Sequence, residues 1–143
     1  MEIQDILFHN ESPVQIRFND IDLLGHVNNA TLQEYFDLGR MHYIQKAFGD
    51  DLFKGTKALI IASVHTDFMM PTFLQEDIVV KTAILSIGGK SLQMEQHIIE
   101  TNKNQVKVVC KSVMVGIDTS LHQSIEIPQE WRDIIGKMEN REF

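Results

Sequence analysis

The chain is poor in cysteine, proline and basic residues: one Cys, three Pro, and 13 Lys+Arg against 20 Asp+Glu in 143 residues. The lone Cys110 excludes an intramolecular disulfide and a cysteine-rich zinc site, which fits a reducing compartment. Pro13, Pro71 and Pro128 are spaced as element edges, and no repeat, low-complexity tract or linker divides the sequence, so one domain over residues 1–143 is expected. Long apolar runs are also missing. Leu59 to Ala62 is far too short to span a bilayer, and Met1 to Asn10 lacks the basic and apolar parts of a secretory signal. The expectation is a soluble, cytoplasmic protein. A formal charge of −7 and a pI near 5.3 argue against nucleic acid or an anionic membrane as partner, because the protein's own field repels phosphates. An anionic substrate must be met by a local group.

What is present is 43% hydrophobic residues, enough for one core without metals or disulfides. Residues 14–18 read as a short strand, and residues 19–29 as a polar approach to a helix. The helix is predicted over 30–48, its apolar face running Leu32, Tyr35, Phe36, Gly39, Tyr43, Ala47, with Gln33, Glu34, Asp37, Arg40 and Lys46 largely off that face. Four long strands follow at 58–68, 78–87, 91–101 and 105–117, rich in Val, Ile and Thr. Gly88-Gly89 and Thr101-Asn102-Lys103-Asn104 are tight-turn sequences that make these strands antiparallel. In the last strand, Val106, Val108, Cys110, Ser112 and Met114 form an apolar face, and the mixed opposite face suits a partner subunit. Pro128 at a first helical position, then Trp131, Ile134, Ile135 and Met138, predicts a short closing helix. One long helix with a curved antiparallel sheet around it is an α+β architecture.

The richest segment chemically is Asp22-Leu23-Leu24-Gly25-His26-Val27-Asn28-Asn29, directly ahead of the helix. It sets a carboxylate, an imidazole and two amides beside helix-start N–H groups able to hold an oxyanion, the outline of an acyl-transfer site. His26 reads either as an acid/base or orienting partner of Asp22, or as a loop hydrogen-bonder. Asn28 holds substrate or water, or caps the helix. Asp20 reads as a structural acid that shapes the loop. His65 and Asp67 point to one side of a strand, but two ligands without a third make no metal site. Met69, Met70 and Met94 read as core filler or pocket lining, and Cys110 as buried and inert.

The run Arg17-Phe18-Asn19-Asp20-Ile21-Asp22-Leu23-Leu24-Gly25-His26-Val27-Asn28-Asn29, continued by Glu34-Tyr35-Phe36-Asp37 and Arg40, resembles the hotdog-fold acyl-CoA thioesterases of the 4-hydroxybenzoyl-CoA thioesterase type, in the branch with a His-Val-Asn-Asn signature. Asp67-Phe68, Pro71, Asp77, Ser86-Ile87-Gly88-Gly89-Lys90-Ser91 and Ile127-Pro128 extend the likeness in the same order over nearly the whole chain.

The resemblance implies a sheet wrapped around a central helix, and a homodimer or homotetramer in which subunits meet edge to edge and complete paired active sites. It also implies Asp22 as the catalytic carboxylate and Asn29 as the helix-start donor that polarises the thioester carbonyl, with His26 and Asn28 beside them. Asp22 either attacks the carbonyl or acts as base on water. Gly25, Lys90 and Ser91 are the candidate substrate-binding positions; Lys90 either meets the phosphates of coenzyme A or is simply solvated. Leu32 stands where relatives carry an aromatic, and Gly39, where alanine is common, is expected to open room beside the helix. Glycines stand where relatives carry basic residues, which keeps an acyl-carrier-protein thioester beside acyl-CoA as substrate. No metal or organic cofactor is expected. A hotdog hydratase or dehydratase and a non-catalytic acyl-CoA-binding protein are the other readings of the same scaffold.

Overall fold

A computed structural model describes residues 5–50 and 55–143. Strand β1 (Glu11–Val14) precedes helix α1 (Asn29–Phe48), followed by β2 (Lys57–Phe68), β3 (Ile78–Ile87), β4 (Ser91–Glu100), β5 (Gln105–Asp118), the two-residue β6 (Gln123–Ser124) and helix α2 (Gln129–Glu139). The sheet order is β1-β3-β4-β5-β2, with β6 against β5, and every pairing is antiparallel. With α1 packed across the sheet, this is the α+β hotdog architecture.

The first strand lies earlier than the apolar alternation of 14–18 predicts. Strand β1 contains Pro13, tolerated because β1 is an edge strand and needs a donor on one side only. Phe18–Asp20 is instead a 3-10 turn, in which the Asp20 carboxylate accepts Arg17 N at 2.9 Å. A local side-chain acceptor outcompetes strand pairing there.

Helix α1 buries two successive groups of side chains. Near its start, Leu32, Tyr35 and Phe36 pack on Ile78, Val80, Ile98, Val108 and Cys110. Toward its end, Tyr43, Ile44 and Phe48 meet Ile84, Leu92, Met94, Met114 and Ile135 of α2. Two expectations fail between them. Gly39 opens no room: a Cβ there would collide with the Val80 side chain and lie 3.2 Å from Gln96 Nε2, so the glycine permits close helix–sheet contact. Arg40 is 5% exposed rather than off the buried face. Its guanidinium donates to Asp37 at 2.6 Å and to Gln96 Oε1 at 3.1 Å, while Gln96 donates to Phe36 O and Thr82 Oγ1. Such a charge is buried only with partners, and Gln96 is 56 residues away in sequence.

Helix α2 begins one residue later than expected, with Pro128 just ahead of it. Its last residue, Glu139, accepts Tyr43 OH at 2.5 Å and Ile84 N at 3.0 Å, clasping α2 to both α1 and β3. Among the described residues, no strand pairs with the outer edge of β2, which carries half-exposed Ile60, Ile61, Val64 and Phe68.

Candidate active site

The segment from Asp20 to Asn29 is a closed loop rather than an open approach to α1. Ile21 and Val27 form an antiparallel bridge, Asp22 N donates to His26 O at 3.0 Å, and Gly25 N donates to Asp22 O at 3.0 Å. The turn requires φ of +87° at Gly25, which accounts for glycine at that position, and the space around its Cα is open. Asp22 Oδ1 accepts Leu24 N at 2.9 Å, a local turn contact that fixes the carboxylate and leaves Oδ2 for other chemistry. Asp22 and His26 are half-buried. The His26 imidazole lies with Nδ1 3.4 Å from Val27 O.

The loop is tied to the rest of the molecule at Val27 and Asp20, and Asn28 closes it on itself. Val27, fully buried, donates its N–H to Thr72 O at 2.8 Å, and Asn28 N donates to Asp20 O at 2.9 Å. Asp20 is fixed in turn by Tyr35 of α1, whose hydroxyl donates to Oδ2 at 2.5 Å. Burial, then this hydrogen bond and the Asp20 charge, push the Tyr35 phenol well above its ordinary range.

Helix α1 starts where the loop ends. Asn28 is its cap, accepting Ala30 N at 2.8 Å, so its side-chain oxygen is engaged in the fold. Among the described residues, no protein acceptor meets the N–H of Asn29 or Thr31. These donors sit at the positive end of a 20-residue helix, suited to a developing negative charge.

Lys90 and Ser91 are not brought to Asp22 within one chain. They belong to the β3–β4 turn, beside Gly116 and at the end of the sheet where the C-terminal half of α1 packs, whereas Asp22 lies at the helix start; α1 is about 30 Å long. That turn is braced by Arg132 of α2, which donates to Gly88 O at 2.5 Å and Gly89 O at 3.3 Å. His65 and Asp67 do share a side of β2, 3.1 Å apart, yet among the described residues no three His, Cys, Asp or Glu side chains gather to hold a metal. Cys110 is buried, and burial pushes its thiol above the ordinary range.

Several polar residues escaped the sequence reading. Glu95 and His97 form a buried pair, 2.6 Å apart, on the sheet face turned away from α1. Their i, i+2 spacing in a strand is visible in sequence, but burial of that face is not. Lys107 is likewise buried, against Glu76 at 2.8 Å.

The sequence profile of the thioesterase-like superfamily matches residues 16–135. The chain belongs to the thioesterase-like superfamily. Among solved structures, this superfamily member resembles a Thermus thermophilus thioesterase complexed with coenzyme A and zinc, with 28% identity and a TM-score of 0.84 over 95% of this chain and 98% of that one. The long-chain acyl-CoA thioesterase FadM of Escherichia coli K12 is 20% identical over 90% of this chain and 98% of its own length. The chloroplastic acyl-acyl carrier protein thioesterase ATL3 of Arabidopsis thaliana is 24% identical over 87% of this chain. The chain spans 66% of ATL3 and 54% of the Bacillus subtilis protein YsmA, which is 28% identical over 81 residues.

Proposed function

We propose that this chain hydrolyses an acyl-CoA thioester to a free acid and coenzyme A, with residues 1–143 acting as one hotdog domain of the His-Val-Asn-Asn, 4-hydroxybenzoyl-CoA thioesterase-like branch. The observation that carries the reading is Asp22 held by its own turn, in a loop tied directly to a helix start with unengaged N–H donors. The thioester oxygen takes the N–H of Asn29, and the donors strengthen as the carbonyl becomes an oxyanion. Asp22 Oδ2 then acts in one of two ways. It attacks the carbonyl carbon, expelling the thiolate and leaving a mixed anhydride for water to open, or it takes a proton from water as that water attacks. His26, half-buried four residues on, orients Asp22 or the water, and Gly25 leaves open space for the thioester arm.

A second subunit completes the site in this reading. The unpaired apolar edge of β2 is a ready interface, and twofold pairing sets two β2 strands antiparallel. The Phe68 end of one strand, which leads into the loop carrying Thr72, then lies beside the Lys57 end of the other. That second end adjoins the Lys90 turn, since Gly116, paired with Leu59, donates to Lys90 O at 3.0 Å. A dimer therefore draws the partner's Lys90 and Ser91 toward Asp22, where a single chain separates them. The single buried Cys110 suits a cytoplasmic setting.

Thiol release from short, medium, long and aromatic acyl-CoAs, with the matching acyl carrier protein thioesters as a second arm, tests the activity. Release from acyl-CoA supports the reading. Release from carrier-protein thioesters alone transfers it to that carrier. Hydration of an enoyl thioester without thiol release refutes it in favour of hydratase chemistry.

A further inference from the structure

Lys107 is a charged residue at the bulge of β5, where pairing with β4 passes from Ile98–Val108 to Ile99–Val106. It is nonetheless only 3% exposed. Its ammonium pairs with Glu76 at 2.8 Å, donates to Pro71 O at 3.1 Å and lies 5.8 Å from the centre of the Phe73 ring. The Lys107 carbonyl accepts both Met69 N and Met70 N at 3.0 Å. The second oxygen of Glu76 accepts Phe73 N at 2.7 Å. One residue thus grips both ends of the segment from Met69 to Glu76, which joins β2 to β3 without strand pairing of its own. In the middle of that strap is Thr72, fully buried, whose carbonyl receives Val27 N from the Asp22 loop.

We propose that Lys107 is a positioning residue of the active site, clamping the strap so that Thr72 O keeps Val27, and with it Asp22 and the start of α1, in register. The proposal rests on the thioesterase reading for its kinetic consequence, but not for its structural one. An ammonium inside the protein is stable only while its partners surround it, so Lys107, Glu76 and the strap hold one another in a single arrangement. A neutral side chain at 107 removes the Pro71 and Glu76 contacts and frees the strap around its remaining backbone bonds. Val27 then loses a fixed acceptor, and small misplacements at a reacting centre cost rate disproportionately.

The test uses the full chain as Lys107→Met, Lys107→Arg and Glu76→Gln. Amide hydrogen exchange is followed at Val27 and at Gln96 in the centre of β4, and kcat and KM are measured for the acyl-CoA that the wild type turns over fastest. In Lys107→Met, exchange at Val27 should quicken about tenfold or more while Gln96 is unchanged, and kcat should fall at least about tenfold with KM within about twofold. Lys107→Arg, which keeps the charge, should retain slow Val27 exchange and most of kcat. Should Lys107→Met fail to fold, Glu76→Gln takes its place with the same readouts. Unchanged Val27 exchange, exchange that quickens equally at Gln96, or quickened Val27 exchange with unaltered kcat would each overturn the proposal. A wild type that turns over no acyl-CoA refutes the thioesterase reading, and Val27 exchange alone then decides whether the clamp exists.

Discussion

At the scale of single residues, the polar cluster proposed as the site was visible in the sequence, but the way its side chains are held was not. Asp22, His26, Asn28 and Asn29 stand out because polar groups crowd a helix start, and the fold does keep them on one loop. Their supports come from distant sequence: Tyr35 fixes Asp20, Thr72 holds Val27, and neither shows local spacing that would announce it. Lys90 and Ser91 show the opposite problem, since a motif names them and one chain leaves them at the far end of the sheet. Gly39 tests the packing argument. Gly39→Ala should lower stability by about 1–3 kcal/mol, because the new methyl meets Val80 in a filled layer. Denaturant unfolding checks this, and in a Val80→Ala background the same change should cost distinctly less.

At the scale of elements, long strands and long helices were read well because period and turn signals agree over ten or more residues. Helix α1 and strands β2 to β5 lie within a residue of expectation. The failures are short or depend on remote partners: β1 with its internal proline, the two-residue β6, and the buried Arg40 whose partner Gln96 sits on β4. The same dependence on remote contacts holds α2 in place, where Glu139 joins Tyr43 and Ile84 N. Burial first, then the Glu139 hydrogen bond and charge, raise the Tyr43 phenol above its ordinary range. A raised pKa means the fold favours the neutral phenol, so this stability is fully present below the unfolded tyrosine pKa of about 10 and drains away as pH rises beyond it. Urea midpoints between about pH 8 and 11 should therefore fall less steeply in Tyr43→Phe than in the wild type. Some slope should persist in the variant, because Tyr35 is raised in the same direction.

At the scale of the whole molecule, the proposed dimer follows from one open edge of the sheet. Among the described residues the sheet ends in a long strand with one edge unpaired and Ile60, Ile61, Val64 and Phe68 in view, an edge that natural proteins ordinarily cover. The proposed edge pairing of two copies would cover it and bring the partner's β3–β4 turn toward Asp22. Val64→Lys should shift the protein toward monomer in sedimentation velocity and lower kcat/KM at dilute enzyme, while an assembly unaffected by this change would place the interface elsewhere. The central claim is that Asp22 performs the hydrolysis, and one measurement addresses it directly: thiol release by wild type and Asp22→Asn, side by side, with circular dichroism showing both folded. The amide is nearly isosteric but cannot serve as nucleophile or base, so kcat should drop by about 10²–10⁴-fold with the fold intact. An Asp22→Asn protein that releases thiol as fast as the wild type would contradict the account.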